Sequence, residues 1–90
     1  PSVLVKMKRP GGGKHETQLR VTCVRATETP VKTFGIRRVC AAVRDAAAQI
    51  DKRDATYDAT LIELVRDKLM RMTTTAAARV CVHKMRNTVQ

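Results

Sequence analysis

Hydrophobic positions along this chain follow two rhythms, and the change between them comes at about residue 33. Within Ser2 to Lys8, Val3, Val5 and Met7 sit two apart, the spacing that places side chains on one face of an extended strand, although Leu4 breaks a clean polar alternation. A second run has Leu19, Val21 and Cys23 alternating with Gln18, Arg20, Thr22 and Arg25. Between them lies Arg9-Pro10-Gly11-Gly12-Gly13-Lys14. This turn-rich stretch has two readings: the bend of a β-hairpin, or part of a flexible basic tail with residual strand propensity.

Beyond residue 33 the period lengthens. Residues 1–33 hold all three prolines and three of the four glycines, whereas the 55 residues from Ile36 to Gln90 contain neither. A run that long without a breaker predicts helix. Thr29-Pro30-Val31-Lys32-Thr33 leads in, with Thr33 as N-cap. Ile36, Val39, Cys40, Val43, Ala47 and Ile50 then recur at steps of three and four, the stripe of a helix of about 15–17 residues packed on one side. Asp51-Lys52-Arg53-Asp54-Ala55 interrupts the stripe and reads as a short loop in which Asp54 or Thr56 caps the next helix. Tyr57, Leu61, Leu64, Val65, Leu69, Met72, Ala76, Val80 and His83 continue at steps of three and four. They predict a second helix from about Thr56 to Lys84, roughly 43 Å long at 1.5 Å per residue. Ile62, Met70, Ala77 and Cys81 widen its apolar surface to a second side, so two neighbours are expected, the first helix and a second molecule.

Composition strengthens the case for a partner. Hydrophobic residues make up 43% of the chain, but Phe34 and Tyr57 are the only aromatics, so the core must be built from Val, Leu, Ile, Met and Ala. A domain of this size hides only about 60–65% of the surface its unfolded chain exposes, which makes such a core thin. Charge adds the nature of a ligand. Eighteen Lys and Arg against eight Asp and Glu give a net charge of +10. A balance that basic points to a polyanion, because clustered cations gain affinity by releasing counterions from phosphates.

Other chemistries find little footing. Cys23, Cys40 and Cys81 lack CxxC spacing and read as reduced thiols, and Cys81 and His83 lie too far apart around a helix to share a metal. No metal or cofactor is expected. Lys14 follows three glycines, but His15 and Glu16 come next, so the phosphate-loop pattern fails. Asp51 and Asp54 sit among Lys and Arg and are read as caps or neutralising partners; no nucleophile, base and orienting group assemble, so the chain is not expected to be an enzyme or to take a small-molecule substrate. No stretch approaches the roughly 20 apolar residues of a membrane span, and no membrane partner is expected.

A short helix, a basic loop, a helix near 29 residues and a basic-Thr-Val ending match the order of elements in the histone fold. Phe34-Gly35-Ile36-Arg37-Arg38-Val39 resembles the start of the first long histone helix, and Ala77 to Val89 resembles the end of the central helix and the second loop of the tetramer-forming core histones. The resemblance covers about residues 34–90. It implies an all-α histone fold completed by a partner chain, with residues 1–33 as a basic, partly extended N-terminal extension. The family's third helix has no counterpart after Val89; the expectation is either that this is a fragment or processed piece, or that the third helix is dispensed with or supplied by another chain.

The resemblance also implies a site. Two histone-fold chains clasp across their central helices, here through Val43, Leu61, Leu64, Val65, Leu69, Met72, Ala76, Val80 and His83. Their paired loops form a basic ridge on duplex DNA. Arg53 is the residue expected in a minor groove, Lys52, Lys84 and Arg86 contact phosphates, and Thr88 donates a hydroxyl hydrogen bond. Arg37 and Arg38 lie in a first helical turn, where free N–H groups favour an anion. The expected function is sequence-nonspecific packaging of duplex DNA in a nucleosome-like particle, in a nucleus or chromosome or in a viral particle. Two alternatives are a histone-fold subunit of a transcription or kinetochore complex and a small ribosomal or RNA-binding protein, the latter suiting a hairpin succeeded by helices.

Overall fold

The computed structural model of the 90-residue chain describes residues 2–8, 16–25, 35–51, 53–72 and 78–85. Within them the chain forms strands β1 (Ser2–Lys8) and β2 (Glu16–Arg25), helices α1 (Ile36–Ala47) and α2 (Tyr57–Met72), and strand β3 (Ala78–Met85). The fold is therefore mixed α/β, and the expectation of an all-α histone fold is overturned by a three-stranded sheet.

The hairpin reading of the N-terminal segment is the one found. β1 and β2 pair antiparallel, Val3 opposite Val21 and Val5 opposite Leu19, so the two alternating runs present their apolar residues on the same face. A shift of one residue would turn every one of those side chains to solvent. The chain then passes through two helices, whose reversals bring β3 back antiparallel to β2, with Val82 opposite Val21 and Val80 opposite Cys23. The sheet order is β1-β2-β3, which makes a strand from the first third of the sequence the centre of the sheet. The boundary at residue 33 thus runs between parts of one structure.

The long second helix is the main correction. It ends at Met72, and Ala78–Met85 is a strand rather than its continuation. The reason lies in the period: Val80 and Val82 are both buried while Arg79 and His83 are exposed. Residues two apart cannot share a helix face but must share a strand face. The three threonines and three alanines of residues 73–78 separate the two periods. β-Branched, hydroxylated Thr73–Thr75 favour departure from a helix, both by restricted χ1 and by competing for backbone hydrogen bonds.

Both helices cover one face of the sheet. α1 lies against β1 and against α2, and α2 lies against β3. α1 buries Val39, Ala42, Val43, Ala46 and Ala47, a stripe at steps of three, four, seven and eight. Ile36, counted in the expected stripe, is instead 63% exposed. The helix starts after Gly35 rather than at a Thr33 cap, and it runs for 12 residues. Its last turn tightens, with the Gln49 N–H reaching the Ala46 carbonyl at 3.1 Å. α2 buries Tyr57, Leu61, Val65 and Leu69, one per turn, and the small alanines of α1 let the two helices approach.

These contacts change the meaning of the residues expected to clasp a second chain. Val43, Leu61, Val65, Leu69 and Val80 are buried within the single chain, packed with Val5, Leu19, Val21 and Val82 of the sheet, and Leu64 is half-buried against the same core. The cover expected from a partner is supplied by the sheet. Of the other positions in that set, Met72 is exposed at the end of α2, His83 is exposed on the sheet's far side, and Ala76 lies outside the described residues.

Candidate nucleic-acid interface

Helices cover only one face of the sheet, so the register determines what the other face carries. Residues paired across antiparallel strands lie on the same side, and alternation does the rest. The row Leu4, Arg20 and His83 stands outward, flanked by Lys6, Gln18 and Met85 on one side and Ser2, Thr22 and Cys81 on the other. Lys8 opposite Glu16 closes one end, and Val24 opposite Arg79 the other. Lys6, Lys8, Arg20, Arg79 and His83 are all exposed. Four permanent cations thus share this face with one carboxylate, Glu16, at its corner.

The helical layer is closer to balanced. Residues 36–72 contain six of the chain's eight acids, Asp45, Asp51, Asp54, Asp58, Glu63 and Asp67, with eight of its 18 Lys and Arg. Several acids are engaged locally. Asp67 pairs with Arg71 at 3.0 Å one turn along α2. Asp51 accepts the Arg53 backbone N–H at 2.9 Å, and Asp54 accepts both the N–H and the hydroxyl of Thr56 at 2.8 Å. Those two bonds to Thr56, the backbone one foremost, hold the Asp54 carboxyl below its ordinary value of 3.8 and close a turn just ahead of α2.

Asp58 ties the helical layer to the sheet. Its two oxygens accept the hydroxyl of Thr17 at 2.8 Å and the ammonium of Lys84 at 2.5 Å. Thr17 is buried, and Lys84 has the inward parity of β3, opposite Leu19. A second tie is made by Arg66, whose Nη2 donates to the Val82 carbonyl at 3.2 Å. That bond occupies a carbonyl of β3, an edge strand of the sheet.

Against this arrangement the expected DNA-binding residues separate into three groups. Lys84 is engaged by Asp58 on the helix side and is not part of the open face. Arg37 and Arg38 are exposed in the first turn of α1, and Arg53 is exposed in the loop before α2, all in the helical layer. Lys52, Arg86 and Thr88 lie outside the described residues. This fold provides no ridge of paired loops from two clasped chains. The cations that this face does carry, Lys6, Lys8, Arg20 and Arg79, run from one end of the sheet to the other and were not among those expected. Their signal was the even-numbered alternation of Lys6, Lys8, Gln18 and Arg20, which acquires spatial meaning only once the strand register is known.

Among the described residues, no three His, Cys, Asp or Glu side chains group to hold a metal, and no helix is long and apolar enough to cross a membrane. The three cysteines are unpaired and partly buried. No family model, curated protein or solved structure matches the chain.

Proposed function

We propose that this chain binds duplex nucleic acid through its phosphates, without reading base sequence, on the open face of its sheet. The observation that carries this reading is the cationic face itself: Lys6, Lys8, Arg20 and Arg79 are exposed on a face that no described helix or strand covers, and among the described residues Glu16 is its one carboxylate. Gln18 and Thr22 add hydrogen-bonding groups between the cations. Among the described residues this face carries no Phe, Tyr or Trp, the side chains of a stacking platform for single strands. Its width argues against base readout as well. Three strands about 4.8 Å apart span about 10 Å between outer backbones before side chains are added, too broad to enter a major groove about 12 Å wide that admits a helix or a two-stranded ribbon. Such a face rests across phosphates.

The histone-type particle is not carried forward, because its clasped helices are absent. What persists is duplex binding without sequence preference, with duplex DNA as the first probe. Four phosphate contacts predict that log K falls with log salt at a slope of about −3.6. Titration of unrelated duplexes at several salt concentrations measures it, and equal affinities with a slope near that value support the reading. Strong preference for one sequence, or a slope near zero, overturns it. Preference for structured RNA over duplex DNA in competition would move the assignment to the RNA-binding class.

A further inference from the structure

Among the described residues, the one imidazole on the open face is that of His83, in the middle of the sheet. It lies directly opposite Arg20 on the neighbouring strand, with Gln18 and Thr22 diagonal to it and Leu4 across Arg20 on β1. On its own strand Cys81 and Met85 flank it on the same face, with Arg79 beyond. Lys6 lies one row away. The only carboxylate on this face among the described residues, Glu16, is two rows along and at the corner beside Lys8, about 13 Å off at strand spacing, beyond a Debye length at physiological salt. No described element packs over the ring, which is exposed.

We propose that His83 is a proton-dependent fifth phosphate contact, so that duplex binding tightens as pH falls. This rests on the phosphate-binding reading above. Among the described residues the ring has Arg20 opposite and no carboxylate beside it. A phosphate laid across the row supplies the missing anion. The protonated ring then offers two N–H donors where the neutral ring offers one. Coupling is reciprocal: whatever protonation adds to duplex affinity, the duplex adds to the proton affinity of the ring.

The test is binding of the full chain to a mixed-sequence duplex, measured by anisotropy across a salt series at about pH 8 and about pH 5.5, on either side of the imidazole range. The log K against log salt slope should steepen by about 0.9 at the lower pH. The steepening should persist in H15Q, which removes the chain's other histidine, and vanish in H83Q. NMR titration should place the protonation midpoint of the His83 ring higher with duplex bound than without. Salt-dependent binding at both pH values with an unchanged slope, or a steepening retained in H83Q, overturns the role of His83 and leaves phosphate binding standing. Absence of salt-dependent binding at either pH overturns both.

Discussion

The two faces of the sheet are made by the same three strands yet do different work. Odd-numbered positions of β1 and β2 and even-numbered positions of β3 point inward, where Val5, Leu19, Val21, Val80 and Val82 are buried under the helices. The alternate positions point outward and carry Lys6, Lys8, Arg20, Arg79 and His83. Burial governs the first set, since an apolar side chain there is worth about 1.5–3 kcal/mol. Charge marks the second, the face proposed to bind phosphate. Stability and binding are therefore separable by parity alone, and substitutions one residue apart should read out different properties.

The sharpest test of that separation is Leu19→Ala beside Arg20→Ala. Leu19 is completely buried at the centre of the core, and its truncation should cost about 3 kcal/mol, measured by urea unfolding, with little change in the salt slope of the protein that remains folded. Smaller but still on the inward side is Asp58→Ala, which leaves the buried Thr17 hydroxyl and the Lys84 ammonium without their shared acceptor. A loss of about 1–3 kcal/mol is expected. The outward pair Lys6→Ala and Arg20→Ala together should leave stability within about 0.5 kcal/mol of the parent and flatten the salt slope by about 1.8.

Lys84 sharpens the boundary between the faces. Its side chain is about half exposed, at 48%, but it is held by Asp58. Lys84→Met should cost at most about 1 kcal/mol and leave the salt slope unchanged. A flattened slope would mean that the binding surface wraps round the β3 edge. The smallest effect is expected at Asp54. Its folded-state carboxyl ionises below 3.8 because of its bonds to Thr56. It therefore contributes stability that is fully present above the unfolded value and is lost as pH falls through the lowered folded one. Acid unfolding of Asp54→Asn should lack that component of the decline.

How much of this was legible in the sequence depended on whether the signal was local. The hairpin was, because two alternating runs flank a stretch of Pro and Gly. α1 was too, because Val39, Val43 and Ala47 repeat with a helical period, and the break at residues 51–56 between the two helices was marked by its polar residues. β3 was not. Val80 and His83 extend the α2 stripe at steps of three and four as readily as Val80 and Val82 alternate, and no Gly or Pro marks the change. Leu61, Val65 and Leu69 were correctly placed on an apolar helix face, but part of the cover over that face comes from β3, which the helical period had absorbed into α2. The basic face was invisible for the same reason. Lys6, Arg20 and His83 are brought into neighbouring rows by pairing between distant segments, which no window along the chain contains.

The position of β2 in the sheet also sets the order in which the molecule can be assembled. Val21 and Val82 pair across about 60 intervening positions, so the contacts that enclose β2 are among the slowest to form. During synthesis the hairpin and both helices emerge first, and until Ala78–Met85 is added, β2 is an unguarded edge with Leu19 and Val21 incompletely covered. The strand that finishes the candidate binding face is thus also the one that shields the nascent chain from aggregation.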